Sequence, residues 1–365
     1  MAARFRLFAA PLDVREKVLG YMPIVELFEI SQMSQRAFNA VTFACLRHKP
    51  TKMSFYFNRS PFISLFYYEN PRNLNNNDQM HWKFYAMQDV GHLCLEGLEH
   101  RIVRVHDEFS GRLLTEIDFA EKNRWYRATL LERIEDLLQF VQYISTLFNA
   151  TVSFFHLSLW YLHHMEAIQS VEVLRNSAIV HVADATASHD EFRRLLGGFE
   201  TEQMVLKCTT EPDFGFLHPI RFNLFRAWDA SWFSGPMLLN LDCEIVTIDC
   251  KSEMMNVSDE DINTFLHEFM NSDIGCGTIS LLALRRNAPW NLKQIVEGLV
   301  CFNPVPLYPH EDMGLRREFD DRPMRVSVIV EDSLSYFIFR DYVEQPERMP
   351  LPDYFSSRIH PRSYI

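Results

Sequence analysis

Between Leu7 and Lys49 apolar residues recur at every third or fourth position in three short runs, the spacing of helices with one buried face. Pro11 stands where a first helical turn tolerates it, because that position needs no N–H. Val14, Val18 and Met22 then recur every fourth residue with Leu19 beside them, and Asp13, Arg15, Glu16 and Lys17 are expected to face away. Gly20 and Pro23 close the run. Ile24, Leu27 and Phe28 make a second stripe, and Phe38, Val41 and Cys45 a third after the break at Ser31 to Gln35. A module of about 40 residues rarely folds on its own core. Its surplus apolar surface is expected to need a partner.

The period then changes. Met53 to Phe57, Ile63 to Tyr67, Trp82 to Tyr85, Ile102 to Val105 and Leu113 to Phe119 read as short strands, with Met53, Phe55 and Phe57 on one face. A turn-rich loop over 69–80 separates the second from the third. The expectation is a small antiparallel sheet. Thr129 to Phe148 reads as a helix with Leu130, Ile134, Leu137, Leu138, Val141 and Ile144 on its buried face.

Strand and helix alternate from there: strands at Thr151 to Phe155, Ala178 to Val182, Met204 to Lys207, Glu244 to Ile248 and Thr278 to Leu284. Helices are expected at Leu159 to Leu174, at Ser188 to Leu196 with a glycine stop at Gly197-Gly198, and after Ser258. The last is the best marked. Ser258 and Asp261 have capping-box spacing, Asp259, Glu260 and Asp261 suit the positive end of the helix dipole, and Ile262, Phe265, Leu266 and Phe269 fall on one face. Strand–helix alternation without hairpin signals implies parallel strands with right-handed crossovers. A curved, leucine-rich-repeat-like sheet and a closed doubly wound sheet both fit. Arg325 to Val330 and Ser335 to Phe339 read as two final strands, and 344–365 as a Pro-rich tail.

Composition narrows the classes of function. A net charge of −12 argues against a nucleic-acid partner, which needs a basic face to displace counterions. No apolar run is long enough to span a bilayer, and no signal peptide is expected, since Pro11 and Asp13 interrupt the apolar run after Arg6. Seven scattered cysteines without a C-x-x-C pair suit buried free thiols in a reducing compartment.

Fragments of catalytic motifs lack their companions. Asp213-Phe214-Gly215 has no glycine-rich loop or catalytic loop before it. His267-Glu268 has Asn271 where a metalloprotease helix needs its second histidine. Adjacent His163 and His164 lie too far round a helix to chelate, and Gly275-Cys276-Gly277 matches no nucleophile turn. No catalytic residue, cofactor or metal is expected. One long connection stands out: about 36 residues separate the strands at Met204 and Glu244, more than usual for an α/β domain. It is rich in aromatics, and Phe222, Phe225, Arg226 and Trp228 are of the types that dominate binding hot spots. They are the candidate substrate-binding residues.

Two stretches resemble known families. Ala10-Pro11, Val18-Leu19, Pro23, Glu26-Leu27 and Met33-Ser34 follow the order of an F-box, with Ala10 in place of the usual Leu and Ala37 where many members carry a large aromatic. Ser231-Trp232, Leu238 to Cys243, Ile245, Ile248, Asp259 to Asn263, Phe265-Leu266 and Ile279 to Leu281 are similar to the F-box-associated domain, type two. That family is joined to an N-terminal F-box, chiefly in a nematode expansion; His267-Glu268-Phe269 departs from its usual Lys-His-Trp. The resemblance implies an α+β protein: a three-helix F-box over 1–50, a linking β-rich region over 51–128, a substrate domain over 129–343 and a tail over 344–365. It implies an intracellular, cytoplasmic or nuclear, substrate-recognition subunit of a cullin-type ubiquitin ligase. The F-box would bind a Skp-type adaptor, and with it cullin, through Pro11, Leu12, Val14, Val18, Leu19, Met22, Leu27, Ile30 and Met33. The other domain would hold an unknown protein substrate. A scaffold that uses the adaptor outside any ligase is the alternative.

Overall fold

The computed structural model describes residues 7–48, 51–58, 61–67, 78–86, 99–105, 109–115, 123–130, 134–211, 213–250, 255–271, 279–302, 311–316, 323–331 and 334–341. The tail, most of the loop at 69–80 and Gly275 to Gly277 lie outside them. The chain is mixed α and β and divides within one strand into two compact units, Met1–Val180 and His181–Ile365. No described helix is long and apolar enough to cross a membrane.

The first unit opens with α1 (Leu12–Tyr21), α2 (Ile24–Ser31) and α3 (Gln35–His48). Pro23 separates the first two. It forces the preceding Met22 out of helical geometry, to φ −76° and ψ 144°, and then caps α2 itself. Strands β1 (Thr51–Phe57), β2 (Phe62–Tyr67), β3 (Asp78–Ala86), β4 (Glu99–Val105), β5 (Phe109–Thr115) and β6 (Asn123–Leu130) follow. Next come α4 (Ile134–Phe148), β7 (Thr151–Ser158), α5 (Met165–Ser170) and α6 (Glu172–Arg175).

Strand order in this unit is β7-β1-β2-β3-β6-β5-β4. The sheet is not purely antiparallel as expected, because β1 pairs with β7, and β3 with β6, in parallel. Met53, Phe55 and Phe57 share a buried face, and Phe55 stacks on Phe155 of β7 at 5.8 Å. Helix α4 starts later than its apolar spacing suggested, since Thr129 and Leu130 belong to β6. It ends where Asn149 takes a left-handed φ of 47°, which Asn tolerates better than most residues. The single helix expected over 159–174 is three short pieces, a 3-10 turn at Leu159–His164 followed by α5 and α6.

The second unit contains β8 (Ile179–Thr186), α7 (His189–Gly197), β9 (Gln203–Thr209), β10 (Ile220–Trp228), α8 (Gly235–Leu239), β11 (Leu241–Cys250), α9 (Asp259–Asn271) and β12 (Leu281–Arg286). After these come α10 (Leu292–Ile295), β13 (Cys301–Phe302), β14 (Glu311–Arg316), β15 (Pro323–Glu331) and β16 (Leu334–Asp341). Strands β8 to β12 neighbour one another in chain order, then β16, β15, β14 and β13 complete the sheet. Pairings from β9 to β12 are parallel and those from β12 onward antiparallel. From β8 to β12 each connection steps the chain one strand further, unlike the strand-order reversal at the centre of a doubly wound sheet; the chain then crosses to the far edge at β13 and returns through β14 and β15 to β16 beside β12.

Both main helices of this unit start on capping boxes. Ser188 and Glu191 cap α7, and before α9 the Ser258 N–H and hydroxyl donate to Asp261 at 2.8 and 2.7 Å. Helix α7 ends at Gly197 as expected, and Gly198 caps it at φ −105°, outside the left-handed region. Buried charge is fully bonded where β11 and β12 end. Arg285 donates twice to Asp249, and Arg286 donates to Asp259 and three carbonyls while lying 3.4 Å over the Trp290 ring.

Candidate functional site

Helix α1 buries Glu16 and Leu19 and leaves its stripe of Val14, Val18 and Met22 exposed or half-buried. Glu16, expected to face solvent, is buried and takes an ion pair from Arg47 of α3 at 3.2 Å. Leu19, one turn on, is buried beside it. With Glu16 and Leu19 facing in, Leu12 and Val14 are left 53% and 40% exposed, and Val18 and Met22 half-buried. Tyr21 at the end of α1 is 90% exposed, Met33 between α2 and α3 is 73% exposed, and Leu46 of α3 is exposed as well.

The inner side of the module is closed by its own chain. Ile24, Leu27, Phe28, Ala37, Phe38, Val41, Ala44 and Cys45 are buried. Tyr143 of α4 accepts a hydrogen bond from Gln32, lies 3.2 Å from the Ser31 hydroxyl, and packs its ring 5.2 Å from that of Phe38. Burial raises the Tyr143 pKa. Part of the apolar surplus expected to need another protein is thus covered by α4. What remains is the outer stripe. Of the nine candidate contact residues, Pro11, Leu12, Val14 and Met33 are exposed, Val18, Met22 and Ile30 are half-buried, and Leu19 and Leu27 lie wholly inside. The last two support the helices and offer no surface.

The second candidate set is corrected. The long connection after β9 is not an insertion: its middle is β10, a strand paired in parallel on both edges. Phe225 is fully buried, Phe222 and Trp228 nearly so, and Arg226 is half-buried. Phe222 stacks on Phe225 at 5.9 Å, and Trp228 meets His181 edge to face at 6.5 Å. These rings are core. The alternation of Ile220, Phe222 and Leu224 with Arg221 and Asn223 was the strand signal, outweighed by the attraction of so many aromatics. Trp232 is core too, its indole N–H donating to the Cys208 carbonyl at 3.1 Å.

Most motif fragments have structural roles. The His267 Nε2 lies 3.0 Å from the Glu297 carbonyl, and the His163 and His164 rings lie 3.9 Å apart, tilted by 42°, in the 3-10 turn, where burial lowers the His164 pKa. The fragment at Asp213 differs. Among the described residues one group has metal-ligand geometry: His189 Nε2 lies 3.4 Å from Asp213 Oδ1 and 3.8 Å from Glu211 Oε2. No spacing rule finds it, because its members lie on two segments joined only by the fold.

No protein-family model, curated protein or solved structure matches the chain.

Proposed function

We propose that this chain is the substrate-recognition subunit of a cullin-type ubiquitin ligase, cytoplasmic or nuclear, whose N-terminal helices dock on a Skp-type adaptor as an F-box does. What supports the reading is the outer stripe of α1 together with the F-box order of residues that it carries. Five of the nine large hydrophobics exposed among the described residues, namely Leu12, Val14, Tyr21, Met33 and Leu46, fall within these three short helices and the turn between α2 and α3. Clustered exposed apolar side chains mark association surfaces, whereas single ones need no explanation.

The protein would act without catalytic residues, by raising the concentration of a bound substrate beside a charged conjugating enzyme. A protein substrate would be held by a surface of the second unit other than the rings of β10, since these are buried. The test is capture of purified Skp-type adaptor by wild type and by Val14→Asp/Met33→Asp. Both positions are exposed, so folding is spared, while an unpaired carboxylate buried in the contact costs about 3–5 kcal/mol. Binding should weaken about a hundredfold or more. Equal capture by both proteins would overturn the proposal. Cullin-dependent self-ubiquitination separates a ligase subunit from a scaffold.

A further inference from the structure

The second unit holds a cluster that adaptor docking does not use. His189 is the first residue of α7, and Glu211 and Asp213 follow β9 closely. Thr186 and Thr209, the last residues of β8 and β9, meet hydroxyl to hydroxyl at 3.2 Å, and Ala187 N–H donates to the Thr209 carbonyl at 2.9 Å. The two strands therefore end side by side and deliver their following residues to one corner.

The geometry there is that of converging ligands. In tetrahedral zinc sites with bonds of about 2.0–2.2 Å, neighbouring donor atoms lie about 3.3–3.6 Å apart. The His189–Asp213 separation of 3.4 Å falls in that range, the His189–Glu211 separation of 3.8 Å lies just outside it, and all three donors fit within 4.8 Å of one another. Neither contact is aligned as a hydrogen bond. Nε2 of His189 is shielded from solvent and has no hydrogen-bond partner among the described residues, and the same holds for the hydroxyl of buried Thr210, next to Glu211. Buried polar atoms without partners are rare and call for a ligand or water.

Charge and donor type agree. The N-terminus of α7 carries about half a positive charge, which opposes a cation, but Glu211 and Asp213 bring two full negative charges. Of the other ions at the corner, Arg193 is held by Asp190 at 3.0 Å and Glu191 by the Ser188 cap. An imidazole beside two carboxylates suits zinc and similar first-row cations, whereas calcium and magnesium favour all-oxygen sets. The carboxylate side chains, 80% and 82% exposed, are free to adjust their oxygens by rotation.

We propose that His189, Glu211 and Asp213 bind one divalent cation of the zinc type, leaving the fourth position to water. The ion would clip the start of α7 to the segment after β9 and stabilise the unit in proportion to its occupancy. The inference is independent of the adaptor reading. Its test titrates Co2+ and Zn2+ into the untagged full chain after chelation and dialysis. Wild type should take up one equivalent, show the visible absorption of tetrahedral Co2+, and gain in Tm with Zn2+. Glu211→Gln/Asp213→Asn should bind about tenfold or more weakly, with its metal-free Tm unchanged. Asp213→Asn alone serves if the double variant folds poorly. Fourteen histidines and seven cysteines are common to all these proteins, so adventitious binding cancels. Failure of wild type to bind, or equal affinity in wild type and variants, would overturn the proposal and leave an ordinary solvated ion cluster.

Discussion

Helix α1 and strand β10 put their apolar residues to opposite uses. In α1 the regular stripe of Val14, Val18 and Met22 stays at or near the surface, while an acid, Glu16, goes inside with Leu19. In β10 the aromatic residues that look like a binding surface are core: the strand is paired in parallel along both edges, and Phe222, Phe225 and Trp228 are buried. Residue type alone therefore misplaces Glu16 in one and the aromatic rings in the other. A helix with two apolar sides can bury either one. Glu16 can go in because Arg47 of α3 supplies its counter-ion. A strand in mid-sheet has no such choice.

The largest effect should come from removing the β10 rings. Phe225→Ala and Trp228→Ala should each cost about 3–5 kcal/mol, read by denaturant unfolding, and together should unfold the second unit. A folded double mutant that loses only substrate capture would restore these rings to a binding surface. A smaller loss is expected at Gly235, where a Cβ would overlap the Asp261 carboxylate that caps α9. Gly235→Ala should cost about 1–3 kcal/mol by overpacking, against about 1 kcal/mol for Ser258→Ala, which removes only a cap. Equal Tm values for the two would mean that Asp261 moves aside freely.

Alkali tests the same buried unit more gently. Burial pushes the Cys208 and Cys243 thiols up to about 12 from an ordinary value of 9.0. The unfolded thiols ionise first, so their contribution is complete below pH 9 and is lost as pH rises toward 12. Unfolding midpoints should fall across that window in wild type, and less in Cys208→Ala/Cys243→Ala measured against its own pH 8 value. The smallest change in stability belongs to the N-terminal surface. Val14→Asp and Met33→Asp should stay within about 0.5 kcal/mol of wild type, measured by thermal unfolding, however strongly they affect adaptor capture. A large loss would place both side chains in the core and leave α1 no outer stripe.

The sequence by itself determined the elements whose causes are local. Pro11 and Pro23 set the starts of α1 and α2, Ser188 with Glu191 and Ser258 with Asp261 set those of α7 and α9, and the alternation of Met53, Phe55 and Phe57 sets β1. Caps, fixed proline dihedrals and period-two patterns act within a few residues, so they can be read from the order of residues alone. What only the tertiary structure decided depends on partners distant in sequence. Glu16 faces in because of Arg47, and Tyr143 closes the module more than a hundred residues away from Ser31. The parallel neighbours of β10 turn its aromatics into core, and the adjacent ends of β8 and β9 bring His189 to Glu211 and Asp213. A one-dimensional pattern records which side chains favour burial. Which of them find a partner is settled by the pairing of strands and helices, where one ion pair or one occupied sheet edge reverses the face that is buried.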